Sequence, residues 1–418
     1  MNRNSAEMES LIHIFSTIED PRRDRGKRHR LIDIFILTIF GLLWGHTDFV
    51  NMADELSYHE SYFTEMLGLK HGIPSHDVFS AVYRVIDPER FLMCFIEWIG
   101  TAAELKGKHI SIDGKALRAA CDKVHNGKMP YIVNAFLVDQ NLVIGQLRVD
   151  EKTNEIKGIP DLMEYLDLDG VTVSIDAIGT QKEICEKIVQ EKNGDYVLPV
   201  KENQSEMHEM IQGYFDANVK DYQREVRQKE EYAKRKLTIE SDLLKQMSSY
   251  TESETDHGRI EKRTYYTSTD VSCIDKKNWP TVQCIGYTIR ERLVIRRDKY
   301  DEAVNDPPSV EVNTWIMSRQ MSASEFRDYS RGHWAVENSL HYVLDTQLYE
   351  DRSNARKDHA MENLSLMRKL VLNLKNLDPT ASTKTTKATF NYFRNNPDAV
   401  WDLILKKIPD HYEKKSGH

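Results

Sequence analysis

Three acidic residues, Asp113, Asp176 and Glu337, stand where carboxylates could share divalent cations. Asp113 closes the short apolar run HISID (109–113), and Asp176 closes VTVSID (171–176). Read as neighbouring parallel strands, spaced about 4.8 Å, these runs bring both aspartates to one sheet edge, where open α/β sheets place their chemistry. The third acid lies in RGHWAVENSLHYVLD (331–345), where Trp334, Glu337 and His341 recur at three- and four-residue spacing and predict one helix face. Such a set suits phosphodiester chemistry. Two hard cations ~3.5–4 Å apart activate an attacking oxygen and stabilise a leaving one, and magnesium takes oxygen ligands. Spacing alone leaves Glu337 in competition with Asp345, Glu350 and Asp351. His333, Glu337 and His341 at four-residue steps also offer a zinc-type ligand set, but that leaves the two aspartates unexplained.

Around these acids lie candidate phosphate contacts. Lys115 and Arg118 follow Asp113, and Lys201, Asn203 and Gln204 close the run DYVLPVK (195–201) and its turn; each also has an ordinary surface or turn reading. The basic segment PRRDRGKRHR (21–30) offers Arg22, Arg23, Lys27 and Arg28, contacts that would fix position without reading bases. The net charge of −9 argues against nonspecific coating of nucleic acid. An acidic chain can nonetheless present basic faces to phosphate while a carboxylate-rich site binds metal.

The elements that must position these residues follow from periodicity. Residues 7–104 carry apolar residues at helical spacing, broken at Asp20-Pro21, at Gly72-Ile73-Pro74 and at Asp87-Pro88, with Ser75 as a candidate cap. From residue 109 the period changes: strands at 109–113, 131–139 and 141–149, a helix over 159–166, a strand at 171–176, a helix over 180–190, a strand at 195–201 and a helix over 204–215. That order is the order of a ribonuclease-H-like fold. The charged stretch 216–256 reads as a solvated helix or partly disordered arm, and β-type runs return at 263–270, 282–296 and 310–319. The expected organisation is a helical N-terminal domain (1–106) with possible DNA contact, an α/β core (107–377) interrupted by a β-rich insertion at about 216–320, and a C-terminal helical tail (378–418) with a frayed end. The core is expected to be a mixed sheet with helices on both faces. Five scattered cysteines without a Cys-x-x-Cys pair indicate neither a disulfide framework nor structural zinc. The longest apolar run, 31–44, is too short for a membrane span, so a cytoplasmic protein is expected.

Several long blocks in order carry a family resemblance: IEDPRRDRGKRHRLIDI (18–34), GIPSHDVF (72–79), IDGKALR (112–118), IDAIGTQKEI (175–184), DYVLPVKENQ (195–204), HGRIEKRTYY (257–266) and RGHWAVENSLHYVLDTQLYEDRS (331–353). Together they resemble the H-repeat-associated transposases of bacterial Rhs elements, within the insertion-sequence transposases that use an Asp-Asp-Glu triad. The resemblance implies the triad Asp113, Asp176 and Glu337, two Mg²⁺ or Mn²⁺ ions, and double-stranded DNA, both element terminal repeats and target, as partner. It also implies a homodimer or larger assembly on DNA, associated with the nucleoid when bound. Much of the related class has an arginine four residues before the glutamate and a phosphate-contacting lysine seven after. Here those positions hold His333 and Leu344, which leaves part of the phosphate contact to Arg331, His333, Trp334 or His341. A covalent tyrosine recombinase is disfavoured by the absence of a His-x-x-Arg box, whereas a simple nuclease, or an inactive DNA-binding regulator descended from a transposase, is compatible with the same residues.

Overall fold

The computed structural model describes residues 11–117, 130–149, 155–235, 238, 240–256, 259–297, 303–305 and 308–405. Arg118 lies outside the described residues. The chain divides into two units, the first comprising Met1–Leu105, Ile112–Asp167 and Ala335–His418, the second Lys106–Ser111 and Leu168–Trp334.

The first unit opens with helices α1 (Leu11–Ser16), α2 (Leu31–Leu43), α3 (Phe49–Tyr58), α4 (Glu60–Leu67), α5 (His76–Val85) and α6 (Pro88–Gly100). Helix α2, LIDIFILTIFGLL, is apolar on every side, and all its residues except Ile32 are buried, as a helix without a polar face requires. Its one acid, Asp33, is held by the Arg30 guanidinium at 2.7 and 2.8 Å. Helix α3 starts at Asp48, whose side chain accepts from the Asn51 N–H. Helix α6 starts at Asp87-Pro88, where Asp87 accepts from the Glu89 N–H and proline occupies the first turn. Ser75 sits at the cap position of α5 but makes no side-chain cap bond. Among the described residues no helix is long and apolar enough to cross a membrane.

The same unit contains β1 (His109–Ala116) from Ile112 onward, β2 (Tyr131–Leu137), β3 (Leu142–Val149) and α7 (Glu155–Glu164), with strand order β3-β2-β1. Strands β2 and β3 form the expected hairpin, antiparallel from Tyr131 opposite Val149 to Leu137 opposite Leu142. Asn141 closes its turn at φ +55°, a left-handed conformation that asparagine tolerates. Helices α6 and α7 pack on β3. The segment from 378 onward is more than an appendage as far as it is described: its helices Thr386–Asn395 and Pro397–Leu405 pack against α1 and α2, while the preceding helix Ala360–Leu377 packs against α2, α5 and α6. The Trp44 indole donates to the Phe393 carbonyl at 3.1 Å, and Arg394 donates to the Trp44 carbonyl at 2.8 Å.

The second unit is built on the first residues of β1 with β4 (Thr172–Ile175) and β5 (Asp195–Val200), continued by β6 (Met247–Asp256), β7 (Arg259–Ser268), β8 (Cys284–Arg297) and β10 (Ser309–Met317). Its strand order is β1-β4-β5-β10-β8-β7-β6, with the short β9 (Ala303–Asn305) paired to β8. Strands β4 and β5 are parallel, and β10 joins β5 antiparallel, Thr314 opposite Val200. The insertion's strands thus continue the sheet beyond β5, covering an edge that would otherwise present unpaired backbone groups. Trp315, Ile316 and Met317 are buried in that seam.

Three local expectations need correction. The helix expected over 180–190 is a short α8 (Lys182–Glu186) followed by a π-helical turn (Lys187–Glu191). Of the charged stretch 216–256, expected as a solvated helix or partly disordered arm, the part up to Lys234 follows the helical reading on α9 (Ser205–Lys234), whose first half is anchored by Met207, Ile211, Phe215 and Tyr222. After the short α10 (Asp242–Gln246), however, residues Met247–Asp256 form strand β6 instead. Asp113 is inside β1 and does not end it: the strand continues through Gly114, Lys115 and Ala116, and the Leu117 N–H then bonds the Pro130 carbonyl. The chain is therefore a mixed α/β sheet flanked by helices and preceded by a small all-helical region, with the element order β-β-β-α-β-α-β-α expected of a ribonuclease-H-like core.

Candidate active site

In the first unit the Asp113 carboxylate is part-buried. Its Oδ1 accepts from the Gly114 N–H at 2.9 Å, and its Oδ2 is 3.5 Å from His341 Nδ1. Burial, together with the charges of Lys115 and Lys369, pushes the His341 imidazole down to about 3. The ring is neutral near pH 7, so this contact is not an ion pair. Its Nε2 lies 3.5 Å from the Asn134 amide nitrogen.

Two residues past Asp113, Lys115 turns inward. Its ammonium stands 2.6 Å from Asp345, 2.8 Å from Glu350 and 3.5 Å from Asp351. Glu350 is buried and uses both oxygens, Oε2 on Lys115 and Oε1 accepting from Ser365 Oγ at 2.6 Å. Lys369 extends the cluster, donating to Ser365 Oγ and to Gln146 Oε1. Burial opposes ionisation of Glu350, but the charges of Lys369, Lys115 and Arg368 hold its carboxyl down to about 2. Burial likewise brings Lys369 down to about 7. Lys115 is therefore committed to internal charges, which corrects its reading as a surface phosphate contact. Glu350, fully engaged, is equally unsuited to replace Glu337.

Glu337 is exposed on a π-helical turn, Val336–His341, between α11 (Ala323–His333) and α12 (Tyr342–Thr346). Such turns occur frequently at functional sites. Of the three residues expected on one face, Trp334 is 55% exposed and Glu337 is exposed, whereas the His341 side chain is only 13% exposed and does not share their exposure. A π turn changes the angular step per residue, so α-helical spacing rules fail across it.

In the second unit Asp176 directly follows β4 and caps a 3₁₀ turn, accepting from the Ile178 N–H at 3.0 Å. Asn203 ties the loop after β5 to this turn by donating to the Ala177 carbonyl, and Gln204 donates to the Thr180 carbonyl. Lys201 and Asn203 are exposed beside it. Beneath lies a polar cluster that sequence reading missed. His109 Nε2 is 2.7 Å from Ser174 Oγ, and His333 Nδ1 is 3.0 Å from Ser111 Oγ and 3.4 Å from Ser174 Oγ. Burial holds both rings neutral, His109 at about 3 with His333 adding to the effect, and His333 at about 4 with Lys201 adding to it. His333 thus faces serines within the fold, a correction to its reading as a phosphate contact. The only sequence signal was position: Ser111 and Ser174 each precede a candidate aspartate by two residues.

Two arginines are also otherwise occupied. Arg331 pairs with Glu252 at 2.8 Å and with Glu254. Arg22 chelates Asp20 at 2.7 and 2.9 Å and donates to the carbonyls of Gly26 and His29, closing the basic loop on itself. Arg23, Lys27 and Arg28 remain exposed. Among the described residues no three His, Cys, Asp or Glu side chains are grouped closely enough to hold a metal ion, which covers the set Asp113, Asp176 and Glu337 as well as the zinc alternative of His333, Glu337 and His341.

Comparison with known proteins places this architecture. A family model described as "Transposase DDE domain" matches residues 104–374, and one described as "DDE_Tnp_1-associated" matches residues 12–99. Curated relatives include "Putative transposase YncI" of Escherichia coli O157:H7, 32% identical over 88% of this chain and 87% of its own length. Another is "H repeat-associated putative transposase YhhI" of Escherichia coli strain K12, 32% identical over 88% of this chain and 90% of its own. A solved piggyBac transposase synaptic complex with hairpin DNA aligns at TM-score 0.42 and 11% identity, covering 99% of this chain and 81% of that one, too distant to bear on fold or partner. With one model spanning both aspartates and the segment that carries Glu337, and relatives aligned along most of both chains, the chain belongs to the Transposase DDE domain family, among proteins related to bacterial insertion-sequence transposases.

Proposed function

We propose that the chain is the DNA transposase of an insertion sequence, cutting phosphodiesters at the element's ends and joining the freed strands to target DNA. One observation carries the reading: the family match runs from residue 104 to 374 and takes in Asp113, Asp176 and Glu337. These three are the assigned ligands. Their donor chemistry fits hard cations, since all are carboxylates and none is fully buried. Two Mg²⁺ or Mn²⁺ ions held there would supply the positive charge that activates an attacking oxygen and stabilises a leaving one. Asp113 and Asp176 each have one oxygen on a neighbouring backbone N–H, which presets the carboxylate orientation before any ligand arrives. Hydrolysis at an element end leaves a 3′-hydroxyl, and that hydroxyl replaces water in attack on the target. No nucleophilic side chain is needed. Exposed Arg23, Lys27, Arg28 and Lys201 offer positive charge to phosphates of double-stranded DNA, and exposed Trp334 offers an aromatic surface. A homodimer or larger assembly would bring two element ends together.

The test is cleavage of a duplex bearing the element's terminal repeat, with Mg²⁺, Mn²⁺ or EDTA, by the native chain and by Asp113→Asn, Asp176→Asn and Glu337→Gln. Metal-dependent cutting lost in each variant, with DNA affinity retained, is expected. Binding without cutting by the native chain would instead identify an inactive regulator. Cutting that survives Glu337→Gln would move the third ligand to another acid.

A further inference from the structure

The candidate triad comes from three separate stretches of chain, and one imidazole touches two of them and begins the third. In β1, His109, Ser111 and Asp113 occupy alternate positions, so they share a side of the strand. In β4, Ser174 precedes Asp176 by the same interval. His333 closes α11, and Glu337 follows it by four residues. Within the second unit His333 Nδ1 reaches both serine hydroxyls, at 3.0 and 3.4 Å, while His109 Nε2 reaches Ser174 Oγ at 2.7 Å. The T-shaped packing of Tyr329, also on α11, on the His109 ring at 5.1 Å adds a second contact between the same elements. Ser111 and Ser174 are fully buried. Buried hydroxyls and imidazoles left without partners cost stability, so β1, β4 and α11 cannot slide past one another without breaking this set.

We propose that His333 is a positioning residue: through Ser111 and Ser174 it fixes the strand segments leading to Asp113 and Asp176 against the end of the helix leading to Glu337. The proposal rests on the triad reading above. It differs from a phosphate-binding role, because Nδ1 of the ring is directed at two serine hydroxyls within the fold. A carboxylate displaced by about 1 Å is enough to cost up to a hundredfold in rate.

His333→Phe keeps a ring and removes both contacts, whereas His333→Asn keeps a polar atom near the place of Nδ1. The expected result for His333→Phe is a roughly 10- to 100-fold slower cleavage at saturating DNA, a DNA Kd within about twofold of native, and weaker Mn²⁺ binding by calorimetry on the chain without DNA. His333→Asn should recover most of the rate and the Mn²⁺ affinity. Ser111→Ala with Ser174→Ala should reproduce the loss, and adding His333→Phe should deepen it little, since the three act as one unit. Native rate and Mn²⁺ affinity in His333→Phe would overturn the proposal. So would a loss confined to DNA affinity, or equal failure of His333→Phe and His333→Asn with a lowered melting temperature in both. The triad reading fails separately, through unimpaired cutting by Asp113→Asn and Asp176→Asn while Mn²⁺ affinity still responds to His333→Phe.

Discussion

Replacing Lys115 by methionine separates two roles for that residue by magnitude. The methionine fills a similar volume but leaves Glu350, 2% exposed at its side chain, with a buried charge whose nearest cation is gone. Asp345 and Asp351, at 34% and 21% side-chain exposure, can take up water and recover part of their loss. The cost is therefore set mainly by Glu350. Breaking a buried ion pair from one side costs about 3–5 kcal/mol. In this case Ser365 and the Lys369 charge still serve Glu350, so the lower half of that range is expected. For a cooperative unit of ~150–250 residues each kcal/mol moves the melting temperature by about 2–4 °C, giving a fall of roughly 6–16 °C in calorimetry of the native chain and Lys115→Met. Asp351→Asn, across 3.5 Å and part exposed, should move it by about 2 °C or less. A phosphate contact behaves differently: Lys115→Met would then leave melting unchanged, weaken DNA binding and reduce the salt slope by about 0.9. That pattern would refute the internal role.

Two further outcomes follow from the structure. His109 and His333 have folded-state pKa values of about 3 and about 4 against an ordinary 6.5, so the unfolded chain binds protons that the folded chain does not. Stability should fall as pH drops from 6.5 toward 4, by on the order of 2 kcal/mol per ring at pH 5, and melting temperatures identical at pH 7 and pH 5 would contradict their burial. In the basic loop, joint replacement of Arg23, Lys27 and Arg28 by alanine should weaken DNA binding and flatten its salt slope by up to about 2–3 in a titration series, whereas Arg22→Ala should open the loop, detectable as faster proteolysis between residues 20 and 30.

Much of the fold was legible because its strands and helices announce themselves locally. VTVSID and DYVLPVK are short, apolar and β-branched, and they form the parallel pair β4 and β5. LIDIFILTIFGLL is a buried helix as its composition demands. What escaped depends on partners far away in sequence. Lys115 looks like a surface lysine until Asp345, Glu350 and Asp351 fold over it, and Arg331 looks available until Glu252 and Glu254 on β6 reach it. The same holds in the second unit: the three acids could be singled out from motif blocks, but the cluster of His109, His333, Ser111 and Ser174 carries no local signature. Continuation of α9 to Lys234 was hidden because a charged, aliphatic-poor stretch suits a solvated helix and a disordered arm equally.

The π turn at Val336–His341 bears on which changes of chain length this segment tolerates. Val336, Leu340, Leu344 and Leu348 are all buried, a strict interval of four. On an α-helix, at about 100° per residue, each such step overshoots a full turn by about 40°, so the four would fan out over about 120°. The i→i+5 bonds wind the chain more slowly and cancel part of that drift, keeping the apolar series in phase. Deleting one residue between Val336 and His341 would restore ordinary winding, and the seven residues then separating Val336 from Leu344 would span about 700°, within about 20° of two full turns, so Leu344 and Leu348 would still face the core. Related chains should therefore carry this segment either with the π turn or one residue shorter as an unbroken α-helix, with the apolar series kept in phase in both.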